Sequence, residues 1–447
     1  MHTKALVVAS LVCLLPFTLP AQESPVPFPA GAPAAFEFSF SNPGARSLGL
    51  GGAFVALADD ATAAFANPAG LARLEAPEVS IEGRYWRYST PYIEGGRLSG
   101  EPTGTLLDTR SEIYWGDSDE EVTDVSFASF VYPKDRWSLA LYHHRQIDYQ
   151  ARFQTNGLFG EQALPPFTPR HPDYRYRNDS LIRGNGVSLG FQVFEGLSVG
   201  VGAVHFDAEL TNYSEFHLPA APLPEDVYGP SAFSPATVFE AFSMNTDDTD
   251  WGFNAGVLWQ PSELWGLGAF YRDGADFDVS VSVVSGPALP GPPPGTVLYA
   301  VDIEPMEFPD VYGLGVAYQS AGGAATAGLE WDHVGYSSIL DSFERYVGST
   351  GANLDDADEY HFGFEYALLE AQPVIALRAG AWLDPDHRIR GRGDSDREYL
   401  GALFPRGDDE WHWSAGVGAA FEHVQVDLAA DLSDQVDTVS LSAIYTF

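Results

Sequence analysis

The side chains with most chemical potential are charges set into segments where apolar and small residues alternate. Glu82, Arg84, Arg272, Glu330, Asp332, Glu365, Arg378 and Asp427 all fall on the less apolar face of such segments. Successive side chains of an extended strand point to opposite faces, so the eight share one side of a sheet. Two chemistries are open to them. They can pair across an enclosed space and brace it, since an isolated charge beside apolar matter is costly. Alternatively Arg84, Arg272 or Arg378, with Glu330 and Glu365 near them, can hold a ligand carboxylate by charge-assisted hydrogen bonds. These five are the candidate ligand-binding charges.

Little else reads as catalysis. His143 and His144 point to opposite faces of one strand, which is poor geometry for a shared metal. There is no phosphate-cradling glycine loop, and no nucleophile can be placed beside an oriented histidine. The single cysteine is Cys13. It lies within residues 1–21, which read as a secretory signal with Lys4 at the start, an apolar run to Leu15 and Ala21 before the cut. The expectation is a non-enzyme without cofactor or metal site.

The elements that must position these charges are strands. Period-two segments are expected at 79–88, 123–131, 136–149, 180–194, 197–210, 250–259, 264–283, 310–319, 324–336, 359–368, 373–383, 411–422, 424–431 and 438–447. Most are near the roughly ten residues of a tilted membrane-spanning strand. Short and long connections alternate between them, as an up-and-down transmembrane barrel of about fourteen strands requires. The last segment puts Val439, Leu441, Ala443, Tyr445 and Phe447 on one face, with Ser440, Ser442 and Thr446 on the other. Such a terminal strand, ending on an aromatic residue, resembles the signal read by the outer-membrane barrel-assembly machinery. Trp137, Trp259, Trp265, Trp331, Trp382 and Trp411 stand near strand ends, where rings with a polar tip form interfacial girdles. Recurrent inner-face glycines leave room for a plug or a ligand.

Ahead of the first strand runs Gly49-Leu50-Gly51-Gly52-Ala53-Phe54-Val55-Ala56-Leu57-Ala58-Asp59-Asp60-Ala61, followed by Asn67-Pro68-Ala69-Gly70-Leu71. It is too apolar for a free tail. It fits a plug in the lumen, or a subdomain packed under the barrel. This run resembles the hatch of the long-chain fatty-acid transporter (FadL/TodX) family, and it is also similar to PorV-type barrels, which serve protein secretion. Segments 308–318 with 328–332, 361–366 with 376–380, and the last three strands are similar to the fatty-acid transporter wall. The resemblance implies fourteen strands, a hatch bearing Asn67, Pro68 and Ala69, and passive uptake of hydrophobic molecules that leave sideways through the wall. The implied division is signal peptide 1–21, hatch 22–76 and barrel 77–447. Gly49, Gly51, Gly52, Asp59, Asp60, Asn67, Pro68 and Ala69 are the candidate gating residues.

Two Pro-rich connections are unusually apolar. Phe233, Phe239 and Phe242 in one, and Leu298 in the other, are candidates for an outer capture groove; equally, the loops can fold over the mouth and bury one another. The chain carries 62 acidic against 23 basic residues, a net charge of −39, which argues against nucleic acid as a partner. Runs such as 117–121, 355–358 and 408–410 read as solvated outer loops or as divalent-cation sites bridging to lipopolysaccharide. The expectation is a monomer in the Gram-negative cell outer membrane, both termini periplasmic, contacting outer-membrane lipids and lipopolysaccharide. It carries a hydrophobic small molecule, docks secreted proteins, or is a structural barrel without cargo.

Overall fold

The computed structural model describes residues 40–104, 106–160, 170–218, 233–391 and 406–447. The predicted signal peptide and most of the first Pro-rich connection lie outside them. Among the described residues the wall has fourteen strands. They are β1 (Glu78–Arg97), β2 (Ile113–Lys134), β3 (Trp137–Gln154), β4 (Asp173–Phe194), β5 (Leu197–His217), β6 (Val238–Ser262), β7 (Trp265–Arg272, resuming at Asp276–Ser285), β8 (Val297–Glu307, resuming at Val311–Gln319), β9 (Ala325–Val334), β10 (Ala357–Leu368), β11 (Val374–Asp384), β12 (Glu410–Ala420), β13 (Val424–Leu432) and β14 (Val436–Thr446). Each pairs antiparallel with its neighbour in sequence. β14 closes on β1 from Glu78 opposite Thr446 to Tyr88 opposite Val436, so the sheet has no free edge there. Tight turns occupy one end, at 135–136, 195–196 and 263–264, and the longer connections the other.

The alternation that marked the strands is the physical reason they form a wall. In β14, Leu441 is 56% exposed and Ser440 fully buried, and Phe447 just past the strand is 63% exposed. Ile81, Leu141, Leu314, Phe362 and Trp413 continue this apolar exterior round the cylinder, the face a lipid phase solvates. Trp137, Trp259, Trp265 and Trp411 are exposed on it. Trp382 departs from the girdle expectation. It points inward, stacked between His361 and His412 at centroid distances of 5.3 and 3.8 Å.

The strands β1 to β6 run 18–25 residues, far longer than expected. Their loop-end halves form a crown. The acidic run Asp117–Glu121 therefore lies in β2, where Asp119 pairs with Arg87 and Glu120 with Arg152. Phe239 and Phe242 likewise lie in β6, and Leu298 in β8, rather than in loops. Crown strands pair with one another above the apolar belt, so acidic and polar residues break the alternation that would have marked them.

Candidate functional site

The segment from Asn42 to Arg73 sits inside the cylinder. It consists of α1 (Ala45–Gly49), α2 (Ala63–Ala66) and the 3-10 turn Pro68–Arg73. Wall side chains from several directions hold its backbone. Ser442 accepts from Ala45 N–H at 3.2 Å, Ser129 donates to Ala61 O at 3.2 Å, and Ser188 donates to Ala64 O at 2.7 Å. One oxygen of Glu330 accepts from both Phe54 and Val55 N–H at 2.7 Å.

Asn67 is fully buried. Its amide donates to Val55 O at 2.9 Å and to Val257 O of β6 at 3.2 Å, and its Oδ1 accepts from Ala69 N–H at 3.2 Å. Asn67 thus caps the 3-10 turn while tying two parts of the segment to the wall, and Pro68 at the first position needs no N–H partner. Inner-face glycines make the close fit. A Cβ built on Gly256 would meet Asn67 Oδ1 at 1.9 Å, on Gly200 the Pro68 carbonyl carbon at 2.2 Å, and on Gly380 the Gly51 nitrogen at 2.3 Å. Gly51 and Gly52 have φ of 61° and 83°, a left-handed turn suited to glycine. That turn wedges against Ala381, Phe362 and His361. Gly49 lies against Gly416, where an added Cβ would meet the Gly416 Cα at 3.2 Å.

All eight inward charges are buried, and most engage the enclosed segment. Arg84 donates to Asn42 O at 2.6 Å and to Glu82 at 2.7 Å. Arg272 reaches Asn42 Oδ1 and Ala66 O, and lies over the rings of Phe65 and Phe270. Arg378 bridges Glu365 and Asp427, each at 2.6 Å. Arg46 joins the same cluster, 3.1 Å from Glu365 and 2.6 Å from Asp59. Burial alone would raise both adjacent carboxyls; Arg46 and Arg73 hold Asp59 below its ordinary value, while Asp60 stays above its own.

Above the segment the interior is apolar and largely aromatic. Phe216, Tyr174, Phe153 and Tyr176 form a run of ring contacts, with Phe153 to Tyr176 stacked at 4.7 Å and Tyr174 to Phe216 at 6.1 Å. Phe239 extends it outward against Phe216 at 6.1 Å, and Tyr92 stacks on Phe153 at 4.5 Å. Phe242 faces this interior, and Phe233 is half-buried against His217. Leu298 stands exposed on the crown.

The wall itself divides between β2 and β3. Their ladder runs only from Lys134 opposite Trp137 to Phe127 opposite His144. Beyond it β2 pairs only with β1, and β3 bulges at Arg145/Ile147 and pairs only with β4. The strands meet again where Ser118 donates to Arg152 O at 2.8 Å and accepts from Arg152 N–H at 3.0 Å. Arg145 to Asp124, at 2.6 Å, spans the opening. Behind its base stands Phe65 of α2, 4.2 Å from the His144 ring. Alternation cannot reveal such a window, because it records which way side chains point and not whether neighbours pair.

Two further inward residues, Glu359 and His361, converge with Asp332 beside the Gly51-Gly52 turn, a grouping that sequence reasoning left unassembled. A Glu-x-His pair on one strand face opposite a cross-strand Asp was the signal available. The run Gly196-Leu197-Ser198-Val199-Gly200 has the spacing of a hydrolase nucleophile turn. It starts straight into β5, with no histidine hydrogen-bonded to Ser198 among the described residues, and so lacks the elbow's geometry.

These features define a class: a closed fourteen-stranded transmembrane-type barrel whose bore holds its own leading segment. Particular solved structures share that fold. The chain is similar to the Ralstonia pickettii toluene transporter TbuX, with TM-score 0.57, 14% identity and coverage of 92% of this chain and 99% of that one. It is similar to the P. putida toluene transporter TodX and to the CymD monoaromatic hydrocarbon channel, each with TM-score 0.55, 14% identity and the same coverages. No protein-family model and no curated protein sequence matches it.

Proposed function

We propose that the protein is an outer-membrane channel for passive uptake of hydrophobic compounds, with lateral exit through the window between β2 and β3. Both termini then lie on the periplasmic side. The observation that carries this reading is the window itself, a stretch of wall without ladder hydrogen bonds, with Phe65 packed against His144 at its base. The likeness to hydrocarbon channels supports it. A hydrophobic molecule enters along the aromatic run, gaining about 0.8 kcal/mol per buried CH₂. It leaves into the lipid by displacing Phe65, so no water-filled route is needed.

Long-chain fatty acids are the substrate class the sequence suggests. The interior favours a neutral ligand instead. Arg46, Arg84, Arg272 and Arg378 each already have carboxylate or carbonyl acceptors. Releasing one to bind a substrate carboxylate would leave a buried group unpaired. Small aromatic hydrocarbons match the ring-lined path.

The test bridges the window. A Val125→Cys/Gln146→Cys variant, cross-linked by a short bifunctional thiol reagent, is compared with its unbridged form for toluene uptake. Uptake should fall at least about tenfold on bridging and return when a cleavable bridge is cut. Unchanged uptake through the bridged barrel refutes lateral exit.

A further inference from the structure

Asp332 of β9 lies directly opposite Glu359 of β10, and His361 is two residues further along the same inner face. All three are at most 9% exposed. Their nearest donor atoms lie within 4.8 Å of one another. His361 Nε2 is 3.3 Å from Glu359 Oε2 and 3.9 Å from Asp332 Oδ2. A metal held tetrahedrally at about 2.0–2.2 Å from each ligand spaces its donors by roughly 3.3–3.6 Å, close to the two histidine–carboxylate distances.

The tautomer points the same way. His361 Nδ1 is 2.8 Å from Gly51 O. A carbonyl only accepts, so Nδ1 carries the proton. Nε2 is then the ring atom turned toward the two carboxylates. Metal-binding histidines are oriented in this way, by a hydrogen bond from the other ring nitrogen. His361 Nε2, Asp332 Oδ1 and Glu330 Oε1 are buried without a hydrogen-bond partner. Three carboxylates, Glu330, Asp332 and Glu359, crowd this volume, with Arg272 the arginine whose field reaches all three. A cavity of about 60 Å³, bordered also by Phe40, Ser41 and Asn42, leaves space for a water at the fourth position.

We propose that Asp332, Glu359 and His361 form a site for a divalent transition-metal ion of the zinc class. Bound there, the ion ties β9 to β10 and, through His361, fixes the Gly51-Gly52 turn of the enclosed segment. The site is independent of what the channel carries.

The experiment uses the full tag-free barrel, stripped with chelator and titrated with Zn²⁺ in millimolar Ca²⁺ to occupy surface carboxylates. Wild type should bind one Zn²⁺ per chain. Asp332→Asn and Glu359→Gln should each weaken it at least about tenfold, and His412→Gln should not. Retained heat-modifiable migration shows which variants are folded. X-ray absorption of the loaded wild type supplies a readout that needs no variant: one imidazole in a shell of nitrogen and oxygen at about 2.0–2.1 Å is expected. No stoichiometric Zn²⁺ in the wild type, undiminished binding in the folded carboxylate variants, or a shell without imidazole overturns the site.

Discussion

At the scale of single residues, the enclosed segment is held by polar contacts that have no slack. Asn67 makes three hydrogen bonds from a fully buried position. Asn67→Ala strands two carbonyls and one N–H, at about 1–3 kcal/mol per unsatisfied group. The barrel ladder is untouched, so the variant should still migrate as a folded barrel but should be cleaved faster by protease between residues 42 and 73, with slower uptake. A barrel with unchanged cleavage and uptake would show that Asn67 does not secure the segment. The complementary change comes from the wall. Gly256→Ala puts a methyl 1.9 Å from Asn67 Oδ1, whereas Gly322 has open space around it. Gly256→Ala should therefore reproduce the Asn67→Ala phenotype and Gly322→Ala should leave the protein as it is, read by the same protease assay. The inner-face charges were legible in the sequence because strand period alone decides which way Arg84 or Asp427 points. Their partners were not: Arg378 meets Asp427 across an intervening strand, a relation only register can supply.

At the scale of elements, the belt-crossing strands were legible and their crown extensions were not. β14 shows why. Lipid outside and packed segment inside impose a period-two rule on every residue from Thr438 to Tyr445, whereas crown positions such as Asp117 and Asp119 face water. The two faces of β14 should respond to charge by different physics. Leu441→Arg places a cation against acyl chains, costing about 2–4 kcal/mol near the bilayer midplane, which should lower the denaturant midpoint for unfolding from vesicles. Ser442→Ala on the other face removes the acceptor for Ala45 N–H. It should leave the barrel midpoint nearly unchanged while loosening α1, visible as faster amide exchange at Ala45. Equal effects on the midpoint would contradict the assigned faces. The window belongs to this scale too. It arises where the β3 bulge shifts pairing wholly to β4, and nothing in the residue pattern of β2 or β3 marks that choice.

At the scale of the whole molecule, the proposed channel should discriminate among ligands by charge before any of them reaches the aromatic run. The chain's net charge is −39, and Asp119, Glu121, Asp247, Asp355 and Asp356 are exposed toward the loop end. A net acidic crown lowers the local concentration of like-charged solutes and leaves neutral ones unaffected. Fatty-acid anions should be repelled from the mouth, and that repulsion fades as the screening length shortens from about 30 Å at 0.01 M salt to about 10 Å at 0.1 M. Uptake of a fatty acid at neutral pH should therefore rise several-fold over that range, while uptake of toluene should stay flat. Monovalent salt is the proper variable, because divalent ions would bind the crown carboxylates directly. A fatty-acid rate independent of salt would mean that the mouth is locally neutralised, and that the paired interior arginines rather than the crown set any preference for uncharged cargo. On the proposed function, the same acidic crown, paired with a ring-lined interior and an exit into lipid, would make the barrel selective by subtraction: charge turned away at the rim, bulk limited by the tied segment, and passage left to what partitions into hydrocarbon.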